Sequence, residues 1–155
     1  MKVLPELYPT DLETPSANTF TLPGGLIGFE AYKRAELLYQ PDHLPFLWLK
    51  LTGPSDTLQF VVIEPGGIVP GYEPELFDEH AMELDLSDAG EAMVLNIVTL
   101  RRADPLEATV NLVGPIVINR RTCTGRQVVI SNYSRYSAHH LLVEKSQGVG
   151  RVTNR

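Results

Sequence analysis

Residues 92–100 read Ala-Met-Val-Leu-Asn-Ile-Val-Thr-Leu, the longest apolar run in the chain. A near-continuous apolar stretch this short suits a strand in the middle of a sheet. It falls far below the ~20 apolar residues that a membrane-crossing helix needs, and so does every other stretch. Taken as the central strand, it organises what lies on either side. Downstream, Asp104-Pro105 makes a turn, and Ala108–Val113 (ATVNLV) and Ile116–Asn119 (IVIN) are two further strands. Gly114-Pro115 interrupts them, which predicts a bulge or a bend at a barrel corner. A turn at Thr122–Gly125 leads to a last strand, Gln127–Ser131 (QVVIS).

Upstream, Pro45–Leu51 (PFLWLKL) alternates, with Phe46, Trp48 and Lys50 on one face and Leu47, Leu49 and Leu51 on the other. The turn Gly53-Pro54-Ser55-Asp56 joins it to Leu58–Glu64 (LQFVVIE), which predicts a hairpin. Earlier still, Ala35–Gln40 (AELLYQ) reads as a strand, and Thr19–Leu22 alternates up to Pro23-Gly24-Gly25. The segment GGLIGFE (24–30) suits a tight turn feeding a short helix or strand near Ala31–Tyr32. Between the hairpin and the central strand, Pro74–Glu79 predicts one short helix with proline and acids in its first turn. Met82–Leu86 (MELDL) alternates like a thin edge strand.

About eight or nine short strands, with turn signals at regular intervals, predict an all-β barrel or sandwich with one short helix. The 155 residues fit a single domain. Residues 1–17, with three prolines, are expected as a flexible arm; 18–136 form the folded body, and 137–155 a partly disordered tail.

Charge is unevenly spread. The formal net charge is −6, yet residues 51–100 hold ten acids and no Lys or Arg, whereas 101–155 hold nine basic residues and three acids. An acidic chain is a poor nucleic-acid binder, because that affinity comes mainly from neutralised phosphates. An acidic middle favours a basic protein partner. The single Cys123 allows no internal disulfide, and the first fifteen residues lack the apolar run of a signal peptide; both point to the cytoplasm.

Chemistry-bearing residues are sparse. His43, His80, His139 and His140 show no zinc spacing with one another or with Cys123. Cys123 lies among Arg120, Arg121 and Arg126, which would lower a thiol pKa, but no base stands near it in sequence. Dinucleotide, phosphate-loop and G-x-S-x-G patterns are missing. The expectation is therefore a non-enzyme without cofactor or metal, a monomer when free. The contact residues favoured for protein binding are Tyr72, Glu73 and Glu75, with Ile68, Val69 and Phe77 as apolar candidates. Tyr72 is expected to be at least half exposed, and Phe77 to pin its loop to the core. A small-molecule-binding barrel is the competing reading; it requires a closed, polar-lined interior. Asn96 and Asn111 are the polar residues expected near the core, bonded to bulged backbone.

The order GGLIGFE (24–30), PFLWLKL (45–51), LQFVVIEP (58–65), PGYEPEL (70–76), VLNIVTL (94–100), TVNLVGPIVIN (109–119) and GRQVVI (125–130) resembles the FliW flagellar assembly factors over roughly residues 18–136. Gly114 departs from the alanine expected there. The resemblance implies a compact β-barrel-like fold. It also implies two protein partners: CsrA, a small RNA-binding repressor of flagellin translation, and flagellin itself. By binding one or the other, such a protein acts as a CsrA antagonist and a flagellin chaperone, with no direct nucleic-acid or membrane contact.

Overall fold

The computed structural model describes residues 1–3, 18–144 and 152–154. The strands are β1 (Thr19–Thr21), β2 (Arg34–Leu38), β3 (Leu47–Thr52), β4 (Thr57–Ile63), β5 (Ala92–Ala103), β6 (Leu106–Val110), β7 (Ile116–Asn119), β8 (Thr124–Gln127), β9 (His140–Glu144) and β10 (Val152–Asn154). The one α-helix, α1, is Asp78–Glu83. β1 to β5 form an antiparallel meander; β7 returns to the first half of β5, and β8 joins β7 to β1. This closes a seven-strand barrel, β5-β4-β3-β2-β1-β8-β7. The seam is parallel and narrow, a single register pair between Thr21 and Thr124. β6, β9 and β10 continue as an antiparallel sheet from the second half of β5.

The central strand accounts for this plan. One edge of β5 pairs with β4 at Asn96–Val98; the other pairs first with β7 at Ala92–Leu95 and then with β6 from Val98 onward. β6 and β7 thus follow one another along the same edge. The link between them, Asn111–Pro115, leaves the ladder, as Gly114-Pro115 predicts. Both faces of β5 are covered from Ala92 to Val98. Met93 and Leu95 point into the barrel with Leu37, Leu49, Leu51, Ile116 and Ile118. Ala92, Val94 and Val98 point outward into a second core with Val69, Leu76, Leu84 and Leu86. The alternation read in β3 holds, with Leu47, Leu49 and Leu51 buried and Trp48 and Lys50 half-buried. Gly25 is the turn glycine that its segment requires: its φ is +64°, and a Cβ there would stand 2.6 Å from Glu30 Cα.

Four elements differ from the sequence reading. The helix begins at Asp78 rather than Pro74, because residues 74–76 are held extended by the first residues of the chain. Lys2 bridges to Glu75, Val3 N–H donates to Pro74 O (2.9 Å) and Leu76 N–H to Met1 O (2.7 Å). Met82–Leu86 is the end of that helix and no strand. Asp85 takes φ 54°, Asp85 N–H donates to Met82 O and Leu86 N–H to Ala81 O, closing a Schellman cap that buries Leu84 and Leu86. A spacing of two residues between buried leucines mimics a strand here. The turn expected at Thr122–Gly125 falls at Arg120–Cys123, because Asn119 Oδ1 accepts from Arg121 and Thr122 N–H and starts it early. β8 accordingly runs Thr124–Gln127, so the strand expected at Gln127–Ser131 shares only Gln127 with it. GGLIGFE is not followed by a helix or strand at Ala31–Tyr32; a Leu26–Phe29 bridge closes it on itself, and β2 starts only at Arg34.

The folded body also runs past Tyr136, since β9 pairs Val143–His140 with Glu107–Val110 of β6. Its Leu142, fully buried, joins the outer core. Of the expected arm, residues 4–17 lie outside the described residues, while Val3 is fully buried.

Leu95 is completely enclosed at the level where β5 exchanges β7 for β6. Leu95→Ala should cost about 2–5 kcal/mol through lost transfer energy and the cavity left behind, read as a lower urea midpoint with the slope unchanged.

Candidate functional site

Residues 64–91 leave the barrel after β4, cross the outer face of β5 and return. They form a lobe that carries most of the acidic run. What holds the lobe is polar. Tyr72 OH donates to Leu112 O (2.7 Å) and accepts from Asn96 Nδ2 (3.2 Å), which also donates to Asn111 O (3.0 Å). Tyr72 is 3% exposed and Asn96 0%. Burial pushes the Tyr72 phenol well above its ordinary pKa. The ring of Tyr136 meets Tyr72 edge-on, at 4.9 Å between centroids, and its hydroxyl accepts from Glu73 N–H (2.9 Å). Asn132 completes the clamp: Oδ1 accepts from Glu75 N–H and Nδ2 donates to Glu73 O, each at 2.9 Å. Residues 71–75 are therefore bonded to the β6–β7 link through the Tyr72 hydroxyl and to residues 131–136 through their backbone.

The two asparagines behave as read. Asn111 Oδ1 accepts from Val113 and Gly114 N–H, stitching the irregular link, while Asn96 bonds the backbone of that link from β5. The aromatics exchange roles. Tyr72 is buried and cannot be an exposed contact, because its hydroxyl is needed by Leu112 O and Asn96. Phe77, expected as the pin, is 42% exposed, edge-on to His80 at 5.8 Å. Val69 is buried and Ile68 half-buried against the outer core, so neither offers a free apolar face. Glu73 is half exposed, its carboxylate 3.8 Å from Lys2 Nζ, and Glu75 is partly exposed without an ion pair among the described residues. Met82, 79% exposed on α1 beside the exposed Glu79, is missed by the sequence reading, because the alternation of MELDL places it in a strand.

Tertiary structure also divides the acids. Arg121 Nε meets Glu91 Oε2 (2.6 Å) and its Nη2 meets Asp85 Oδ2 (3.1 Å); Arg126 pairs with Glu83. Basic residues from the last third of the chain thus neutralise one end of the lobe. Glu91 also accepts from Ser87 N–H and Oγ and from Asp88 N–H, in a capping box. The Arg121 bond, then those from Ser87, bring the Glu91 carboxyl down to about 2. The other end, Glu73 to Glu79 around Phe77, is paired more loosely: Glu73 lies 3.8 Å from Lys2 Nζ and Asp78 4.0 Å from the N-terminal ammonium, while Glu75 and Glu79 have no ion pair among the described residues, so a net negative surface remains there.

Among the described residues no group of three or more His, Cys, Asp or Glu side chains could hold a metal ion. His43 Nδ1 accepts from Trp48 Nε1 (3.1 Å), and the half-buried Cys123 thiol lies 3.8 Å from Arg120 O. The barrel interior is filled by aliphatic side chains, including Leu22, Leu37, Leu49, Leu95 and Ile118, rather than enclosing a polar chamber. No described helix is long and apolar enough to cross a membrane.

Comparison with known proteins follows the same outline. The family model described as FliW protein matches residues 6–142. A flagellar assembly factor FliW of Desulfitobacterium hafniense is 37% identical over 139 residues, 90% of each chain. One of Leptospira interrogans is 31% identical over 139 residues, 90% of this chain and 92% of that protein. A crystal structure of the flagellar assembly factor FliW superposes with a TM-score of 0.71 at 29% identity, covering 92% of this chain and 98% of that one.

Two outcomes test the lobe's construction. Tyr72→Phe strands Leu112 O and one Asn96 donor in the core and should cost about 1–3 kcal/mol, read by chemical denaturation. The Glu91 carboxyl is depressed from 4.5 to about 2, so its contribution is complete above pH 4.5 and lost as pH falls towards 2. Glu91→Gln should accordingly flatten the acid limb of the melting-temperature profile between those values.

Proposed function

This chain belongs to the FliW family of flagellar assembly factors, and from that premise we propose that it is a cytoplasmic partner-switching protein. It binds the translational regulator CsrA and relieves repression of flagellin synthesis. It also binds flagellin, which when abundant withdraws it from CsrA. The observation that carries the reading is the lobe: an acidic surface from Glu73 to Glu79, rigidly clamped to a filled barrel, with the half-exposed Phe77 as its apolar anchor. CsrA is basic because it holds RNA, and opposite charge steers the two together. Clamping the backbone at residues 73–75 lowers the ordering cost of association.

The contact set narrows to Glu73, Glu75 and Phe77, joined by Glu79 and Met82. Tyr72 and Val69 act from beneath by fixing the surface, and Ile68 supports it. Flagellin needs an apolar contact, for which Phe77 stays a candidate.

Mixing the purified protein with CsrA and flagellin, singly and together, on a size-exclusion column should give two binary complexes and displacement of CsrA by excess flagellin. Glu73→Lys combined with Glu75→Lys should weaken CsrA binding about tenfold at low ionic strength, with the difference shrinking as salt rises. The melting temperature should hold, because the clamp on these residues is made by their backbone. Equal affinity of both proteins at low salt would remove this face from the CsrA contact.

A further inference from the structure

The inward rows of β4 and β5 reach the end of the barrel at Phe60 and Ile97, and there the interior is not filled to its rim. A pocket of about 320 Å³ opens between them and the turn at Ile27–Phe29, with Val113 and Val129 on the far wall. None of its lining residues carries an ionisable side chain. Two amides line it. Gln127 is committed at both ends, Oε1 accepting from Ile27 N–H and Nε2 donating to Gly114 O, each at 3.0 Å. Asn111 is committed only through Oδ1, to Val113 and Gly114 N–H; its Nδ2 makes no hydrogen bond among the described residues.

Gly114 keeps that donor uncovered. Its φ lies outside the left-handed region, so the backbone does not require glycine. A Cβ there would stand 3.3 Å from Asn111 Nδ2 and 3.4 Å from Gln127 Nε2. The missing methyl leaves space over the unbonded Asn111 donor in a mostly apolar pocket.

We propose that the barrel mouth is a binding site for an uncharged apolar residue of a partner polypeptide, its side chain entering between Phe29, Phe60 and Ile97 and its main-chain carbonyl accepting from Asn111 Nδ2. Charge selects this occupant. The chain carries −6 overall, yet this wall has no ionisable group, so a charged segment would be desolvated without a counter-charge. The rim selects a polypeptide over a small molecule. Ile27 is 63% exposed, and Phe29 and Val129 are also exposed, so a ligand that only filled the pocket would leave them wet, whereas a chain lying across it covers them. Mouths of barrels are where such sites form. This site stands apart from the acidic lobe and does not depend on the function proposed for it.

The test is an NMR titration of the full chain with N-acetyl-leucinamide, with the amide of N-acetyl-aspartate as the charged control and toluene as the control without a carbonyl. Saturable shifts confined to Ile27, Phe29, Ile97, Asn111, Val113 and Val129, with leucinamide alone, are expected. Asn111→Asp keeps both acceptor bonds but replaces the donor with a carboxylate that repels a carbonyl; it should weaken leucinamide at least about fivefold, the worth of one neutral hydrogen bond. Gly114→Ala should weaken it as well. Ile27→Asp with Val129→Asp, both on the exposed rim, should abolish it in a protein whose other amide signals stay in place. No saturable shift, or equal saturation by the aspartate probe, would overturn the proposal. So would toluene saturating as well as leucinamide with Asn111→Asp without effect, which marks an unspecific apolar cavity.

Discussion

A strand whose two faces are both apolar cannot lie at the surface of anything; it has to be walled on each side. β5 is such a strand from Ala92 to Val98, and its burial dictates the architecture. Met93 and Leu95 require a barrel on one side, and Ala92, Val94 and Val98 require a second layer on the other. The second layer is supplied by residues 64–91 and by the β6–β9 sheet. Its edges are equally in demand, with β4 along one and β7 then β6 along the other. Because one strand cannot hydrogen-bond to β7 and β6 at the same position, the chain between them must step out of the ladder. That step brings Asn111, Leu112 and Gly114 together at the junction of the barrel with its outer layer.

The junction is where polar groups enter the core, and each answers a backbone need. Leaving a ladder exposes carbonyls and amides that would be costly if buried unpaired. Asn111 satisfies two amides with its own side chain, and Asn96 and Tyr72 take up Asn111 O and Leu112 O. The hydroxyl that meets Leu112 belongs to the lobe, so the repair of the barrel's irregularity is also what fastens the lobe to it. The lobe surface is thereby held from below by buried bonds, and Asn132 and Tyr136 hold it from the side. The family to which the chain belongs acts in flagellar assembly; a rigid barrel with a fixed projecting lobe suits a protein whose work is contact.

Much was legible from residue order. Alternation in β3, the unbroken run in β5 and the Gly114-Pro115 interruption each report a local periodicity, and periodicity follows from which faces a strand buries. The β3–β4 hairpin and the FliW likeness rest on the same short-range patterns. The site was less legible. Tyr72 and Phe77 sit in similar acidic surroundings in sequence, and nothing local says which ring is covered; the hydroxyl decides it, because only Tyr72 can meet Leu112 O and Asn96, which lie 40 and 24 residues away. The run of ten acids looked like one surface until Arg121 and Arg126 arrived from the basic third.

By itself the sequence determined the all-β class, most strand positions, the central place of residues 92–100 and the family, because these depend on patterns within a few residues of one another. Only the tertiary structure decided where the helix starts, which carboxylates stay unpaired, which aromatic faces solvent, and that an uncovered amide lies at the barrel mouth. Those features are set by pairing between segments far apart along the chain: Lys2 with Glu75, Arg121 with Glu91, Asn96 with Tyr72. Burial and hydrogen bonding between such segments are properties of the folded arrangement, and no local window of residues encodes them.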